Sequence, residues 1–198
     1  MPRIITLNDF EAARERGRRG PDAAIAETLR SWATDTENYT LAPDVARAAV
    51  LVEAGETFGY AGDHAEAYRL FDAARADGGE TYVDPRALMV QALYEGGRKD
   101  AALELADALR KEGPRDVNSF LVIGGFLEVA DELTAAQRWF SMGIRAMDSG
   151  NVRGSESQYE SMLMGRARVR GALGLARDTL DDAAVIIVEG IAAAQRGE

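Results

Sequence analysis

The residues of this sequence that could do chemistry begin with a pair of carboxylates. Glu53 and Glu56 are three residues apart, so on a helix they share one face, where two carboxyl groups could act as acid and base. A solvated, charged surface explains the same spacing more simply, and this is what we expect. Asp181 and Asp182 are expected to be first-turn acids that face the dipole of their helix.

Other chemical groups are scarce. The sequence has no cysteine, which excludes disulfides, thiol catalysis and cysteine-based zinc sites. His64 is the single histidine, so a Ser-His-Asp triad stays open by count alone, but arrangements that need two histidines are excluded. Because His64 follows Asp63 at a helix start, we expect it on the surface. No phosphate-binding motif occurs, and the sequence predicts no catalytic residue, no cofactor and no metal ion.

The net charge of −10 disfavours binding to phosphate backbones and to anionic membranes, and weakly favours a basic partner. Two arginine clusters interrupt the acidic background, and neither has interleaved aromatic residues, so we expect no nucleic acid as a partner. The clusters are Arg14, Arg16, Arg18 and Arg19, and Arg166, Arg168 and Arg170. We find neither a signal peptide nor an apolar stretch long enough to span a membrane, and we expect a cytoplasmic location.

Helix signals recur along the chain and predict ten helices in five hairpins, an all-α fold with almost no strand signal. The predicted stops are Gly78-Gly79, Gly96-Gly97 and Gly113-Pro114. Residues 34–42 are interpreted as a loop. The predicted capping pairs are Thr6 with Asp9, Asp63 with Glu66, Thr134 with Gln137, Ser157 with Glu160, and Thr179 with Asp182.

Similar residues recur at a fixed distance. The pairs Leu51 and Phe120, Gly55 and Gly124, Phe58 and Leu127, and Phe71 and Phe140 are each separated by two periods of about 34 residues. With Ala67 and Ala136, these residues resemble the tetratricopeptide repeat, in which small residues let paired helices approach and large ones fill the gaps. Residues 138–143 and 168–174 are also similar to uncharacterised actinobacterial repeat proteins.

The resemblance implies a TPR-like α-solenoid in a single domain, residues 1–198. It would comprise an N-terminal cap pair at 6–34, three repeats within 43–148 and a divergent C-terminal pair at 157–195. It also implies a groove lined by the first helix of each hairpin. The implied groove positions are Val52, Glu56 and Tyr60 from the first repeat, Asp84, Ala87, Gln91, Tyr94 and Glu95 from the second, and Asn118, Leu121, Gly125 and Glu128 from the third.

This groove would combine carboxylates, tyrosines and an apolar floor, which suits a basic peptide or helix. The family's carboxylate clamp needs Lys and Asn where this chain has Val52 and Glu56, so we expect no binding of chaperone tails. The resemblance predicts a non-catalytic adapter that binds a protein or peptide. An alternative is a self-assembling protein, since residues 183–188 are all apolar and fit either a buried helix or half of a homodimer interface. An enzyme ranks third.

Overall fold

The computed structural model describes residues 1–196, which form ten α-helices and two short strands. The strands are β1 (Arg3–Ile5) and β2 (Tyr39–Leu41). The helices are α1 (Leu7–Gly17), α2 (Ala23–Thr34), α3 (Arg47–Tyr60), α4 (His64–Asp77), α5 (Pro85–Glu95), α6 (Lys99–Glu112), α7 (Val117–Val129), α8 (Leu133–Asp148), α9 (Glu156–Ala172) and α10 (Thr179–Arg196). The predicted all-α fold with ten helices is confirmed.

The chain divides into two compact units, Met1–Leu109 and Arg110–Glu198, and the dividing point lies within α6. The first unit contains both strands, α1 to α5 and most of α6. In it, α3 packs against α2 and α4, and α4 packs against α5. The second unit contains α7 to α10, in which α8 and α9 pack together and α10 packs against α9.

Several predicted helix ends are where the sequence signals place them. The side chain of Asp63 accepts a hydrogen bond from the backbone N–H of Glu66 at the start of α4, which satisfies one donor of the first turn. Gly78 ends the same helix in the left-handed conformation, at φ 72°. Asp84 caps α5, whose first residue is Pro85.

Other predicted caps are wrong. Helix α9 is capped by Ser155 with Gln158, two residues before the predicted pair. Thr134 with Gln137 does not cap α8, which begins after Glu132 with no side-chain cap. At α10 the backbone N–H groups of Leu180 and Asp181 donate to Asp178. Asx and hydroxyl residues stand close together at these starts, so spacing alone did not select the right one.

The strands are a second departure from the sequence prediction. β1 and β2 pair in parallel, with Arg3 opposite Tyr39 and Ile5 opposite Leu41. Ile5 is fully buried, so the pairing anchors the N-terminus and part of the predicted 34–42 loop on the first unit. Three residues with one inward side chain are too short for an alternating pattern to be recognised.

The repeated residues make the same contact in each unit. Gly55 of α3 lies directly against the ring of Phe71 on α4, and Gly124 of α7 lies against the ring of Phe140 on α8. A side chain at either glycine would meet the ring, so the absence of a Cβ lets each helix pair close around its phenylalanine. The period found in the sequence is therefore a repeated packing contact.

Helix α10 is held by a buried ion-pair network. The guanidinium of Arg166, on α9, contacts Asp181 at 2.6 Å and also pairs with Asp178. Arg170 adds a second contact to Asp181 at 2.8 Å. Arg166 and Arg170 are four residues apart, so they share one helical face and both contact Asp181. Asp181 lies in the first turn of α10, as predicted, but it is also buried in this network, which the sequence did not indicate.

Candidate functional site

The candidate site is a cavity between α3, α4 and α5, all in the first unit. It measures about 330 Å³ with its open mouth. Its apolar lining comes from Gly55, Gly59, Ala67, Phe71, Leu88 and Ala92. Its polar lining comes from Glu56, Tyr60, His64, Gln91 and Glu95. Four predicted groove residues (Glu56, Tyr60, Gln91 and Glu95) therefore line one cavity.

Glu56 lies on the α3 side of the cavity and is half-buried. The hydroxyl of Tyr82 donates a hydrogen bond of 2.6 Å to its Oε1 atom. Burial raises the pKa of Glu56 above its ordinary value, because a carboxylate loses hydration there. Tyr82 lies in the α4–α5 connection, and no sequence pattern connects it with Glu56, so the sequence analysis missed it.

Glu53 lies one turn before Glu56 and is 4% exposed. Its carboxylate contacts Arg14 of α1 at 3.1 Å and Arg18, the residue that follows α1, at 3.6 Å. Burial raises the pKa of Glu53 to about 7, and the negative charge of Glu56 adds to the rise. The expected solvated carboxylate pair is therefore wrong, because α1 covers Glu53. Arg14 and Arg18, both from the first arginine cluster, are its ion-pair partners.

Glu95 lies on the α5 side of the cavity. Its carboxylate accepts a hydrogen bond of 3.1 Å from Nε2 of Gln91 and lies 3.3 Å from Nδ1 of His64. His64 is the first residue of α4 and is only partly exposed, so it lines the cavity. The expectation of a surface histidine is wrong, because the α3–α4 turn directs it toward α5.

Some predicted groove positions in the first unit are buried or already engaged in contacts within the chain. Val52 and Ala87 are each 1% exposed and belong to the core, so their side chains cannot contact a ligand. The carboxylate of Asp84 caps the start of α5, where it accepts hydrogen bonds from the backbone N–H and the guanidinium of Arg86. Tyr94 is partly exposed, and Lys99 lies over its ring at 5.5 Å. The sequence could not separate the inner from the outer face of α3, which is apolar almost all round.

The third set of predicted positions lies in the second unit. Asn118 accepts a hydrogen bond from Gln158 at 2.8 Å, and Glu128 forms a two-contact ion pair with Arg168 at 2.8 and 2.9 Å. Both residues therefore hold α7 against α9. Leu121 and Gly125 are partly exposed on the same helix. A binding role for these four positions remains a prediction.

The comparisons with known proteins agree with this architecture. The tetratricopeptide repeat family model matches residues 60–120, from the end of α3 to the start of α7. A crystal structure from Podosopora anserina, of nearly identical TPR-like repeats named for kinesin light chain, matches with a TM-score of 0.53 and 17% identity. The match covers 96% of this chain and 97% of the other. No curated protein matches the sequence significantly.

The fold is therefore that of a TPR-like repeat solenoid, and residues 60–120 are the segment that is similar to the tetratricopeptide repeat. Proteins with these repeats generally serve as protein-interaction modules. Helix α5 and part of the cavity lining lie within the matched segment. In the part of the chain that the structure describes, no helix is long and apolar enough to cross a membrane.

Proposed function

We propose that the protein is a non-catalytic adapter that binds a protein or peptide at the surface formed by α3 and α5. The observation that carries this proposal is the convergence of Glu56, Tyr60, Gln91 and Glu95 on one cavity of the repeat. Tyr60 is 55% exposed beside it, and a half-exposed aromatic ring at a pocket is a common anchor in protein interfaces.

The charge of the site indicates the kind of partner. Two carboxylates line the cavity, and the whole chain carries a net charge of −10. A partner with positive charge at the contact would associate faster and be discriminated from acidic competitors. The sequence predicts that the protein binds this partner in the cytoplasm.

The experiment is affinity capture with three baits: the wild type, Tyr60→Ala/Tyr94→Ala, and Tyr68→Ala. Tyr68 is a matched control, because it is a partly exposed tyrosine on α4 that does not line the cavity. We expect one partner to be captured by the wild type and by Tyr68→Ala and lost with the double variant. Calorimetry with the purified partner should reproduce the loss. A partner that the double variant retains would contradict the proposed surface.

A second candidate function is self-association through α10. Beyond its first two turns this helix is largely uncovered: Ile186 is 70% exposed, Val188 52% and Ile191 45%. Contiguous exposed apolar surface is uncommon on a protein that acts alone, so this face of α10 favours a second copy of the chain as its cover.

Sedimentation over a wide concentration range tests this candidate. We expect a dimer that Ile186→Asp converts to a monomer, because one buried carboxylate in each subunit would lose its hydration. Glu189→Asp, which leaves the apolar residues intact, is the control and should stay dimeric. A wild type that stays monomeric at high concentration would exclude self-association as the function.

A further inference from the structure

The cavity between α3, α4 and α5 is lined by two carboxylates, and, among the described residues, its lining contains no arginine or lysine. Within residues 1–196, neither Glu56 nor Glu95 forms an ion pair with an arginine or a lysine. Their partners are the hydroxyl of Tyr82 for Glu56, and Gln91 with the imidazole of His64 for Glu95. This contrasts with Glu53 and Glu66, which both pair with arginines.

The two carboxylates lie on different helices, with an apolar floor between them. Glu56 belongs to α3 and Glu95 to α5, and the rings and methyl groups of Phe71, Leu88 and Ala92 line the space below. The enclosed part of the cavity is small, so a partner would enter it with a single side chain rather than with a folded segment.

We propose that this cavity receives the cationic side chain of one arginine or lysine of the partner, with the charged group between Glu56 and Glu95. This inference rests on the proposed binding function and names the chemical feature that the site recognises. The aliphatic stem of either side chain would cover the apolar floor, as such stems do on other apolar surfaces, while the charged end reaches the carboxylates at the rim.

Partial burial of Glu56 favours a cationic side chain as the occupant of the cavity. Glu56 is half-buried and its hydrogen bond comes from a neutral hydroxyl, so it has lost hydration that the nearby charges of Arg14 and Arg18 offset only in part. Burial accordingly raises its pKa. A guanidinium or ammonium group would supply the missing charge and form charge-assisted hydrogen bonds to both helices. A neutral side chain of the same shape would fill the space without adding a positive charge beside either carboxylate.

The test is an NMR titration of the isotope-labelled, full-length protein with short blocked peptides. The probes are Ac-Ala-Arg-Ala-NH2, the same peptide with lysine, and the same peptide with citrulline, which is nearly isosteric with arginine but uncharged. We expect the arginine or the lysine peptide to shift the backbone amide signals of Gly55, Gly59 and Ala92 in a saturable way. The citrulline peptide should bind at least about tenfold more weakly.

Two variants locate the effect. Glu56→Gln keeps a hydrogen-bond acceptor for Tyr82 but removes the negative charge. We expect this variant to bind the arginine or lysine peptide at least about tenfold more weakly than the wild type. Glu104→Gln is the matched control, because Glu104 is an exposed glutamate on α6 outside the cavity, and it should bind like the wild type. Amide spectra show whether each variant is folded.

The inference is overturned if neither cationic peptide shifts these signals, if citrulline binds as tightly as arginine, or if Glu56→Gln binds like the wild type. These results are independent of the capture experiment. A partner lost with Tyr60→Ala/Tyr94→Ala but retained by Glu56→Gln would leave the adapter function standing and remove only the cationic contact.

Discussion

At the scale of single residues, the glycines of α3 differ in what surrounds them. Gly55 lies against the ring of Phe71, whereas the nearest atom to a Cβ at Gly59 would be the Cβ of Ala67, at 3.7 Å. Both glycines are in a helix and one turn apart. Packing against Phe71 excludes a larger residue at Gly55. At Gly59 there is room for a methyl group, and glycine there costs only the conformational entropy that it loses in a helix.

This difference predicts opposite effects for the same substitution. Gly55→Ala should lower the free energy of unfolding of the first unit by about 1–3 kcal/mol, because the new methyl group overlaps Phe71. Gly59→Ala should raise it by up to about 1 kcal/mol through helix propensity. Denaturant unfolding followed by the fluorescence of Trp32, in a Trp139→Phe background, measures both. A coupling between Gly55→Ala and Phe71→Leu would confirm the contact, and strict additivity would contradict it.

Glu53 is a carboxyl group whose ionisation opposes folding. Burial raises its pKa to about 7 from an ordinary value of 4.5. Between these values the folded state holds a proton that the unfolded state releases, so stability must fall as the pH rises through this window. The arginines at Glu53 reduce this cost without removing it.

We therefore expect Glu53 by itself to lower the free energy of unfolding of the first unit by at most about 3 kcal/mol between pH 4.5 and pH 7. Glu53→Gln should flatten this dependence, although some slope should remain because the pKa of Glu56 is also raised. Unfolding curves at a series of pH values, read from Trp32, provide the measurement. Glu104→Gln should keep the wild-type slope, and equal slopes for all three proteins would show that Glu53 is not the responsible group.

At the scale of elements, α10 depends on polar rather than apolar anchoring. Its buried residues are Asp181 and Ala184, and the acidic one contacts both Arg166 and Arg170. The Arg166 guanidinium also holds the pKa of Asp178 well below its usual range. Apolar residues of α10 that lie further along the helix remain exposed.

Removing Asp181 should release α10. We expect Asp181→Ala to cost up to about 3–5 kcal/mol, because it removes the buried carboxylate that pairs with both Arg166 and Arg170. Hydrogen exchange should show faster exchange in α10 than in α7 and α8. Asp182→Ala is the control, because the ion pair of Asp182 with Arg177 is exposed and such pairs contribute about 1 kcal/mol or less. Unchanged exchange in α10 would mean that its apolar contacts suffice.

At the scale of the whole molecule, the net charge of −10 surrounds the candidate site with a negative potential. This charge attracts a basic partner over distances comparable to the Debye length, about 10 Å at 0.1 M salt. It contributes to the rate of association more than to the final contacts.

The association rate with a basic partner should therefore fall steeply between 50 and 500 mM salt, by about tenfold or more, while the dissociation rate changes less. Stopped-flow or surface-based kinetics at several salt concentrations measures this. The uncharged osmolyte sucrose controls for viscosity. A rate that is independent of salt would show that the partner is recognised without long-range attraction.

Local signals determined much of this protein. Glycines, prolines and Asx caps predicted ten helices, and the recurrence of Gly55, Phe71, Gly124 and Phe140 indicated the repeat, because one packing contact requires the same residue types each time it occurs. The candidate site was predicted in part. Glu56, Tyr60, Gln91 and Glu95 were predicted because the resemblance to the tetratricopeptide repeat implies which positions of the first helix of each hairpin line a groove.

What the sequence could not determine depends on residues brought together from distant positions. Only the folded chain places α1 over Glu53, Tyr82 beside Glu56 and His64 beside Glu95, and these contacts decide which carboxyl groups are buried. It also shows Val52 to be core and α10 to be largely exposed. Periodicity records which face of a helix is apolar, whereas burial and charge pairing depend on the neighbour that covers that face, and tertiary packing alone specifies the neighbour.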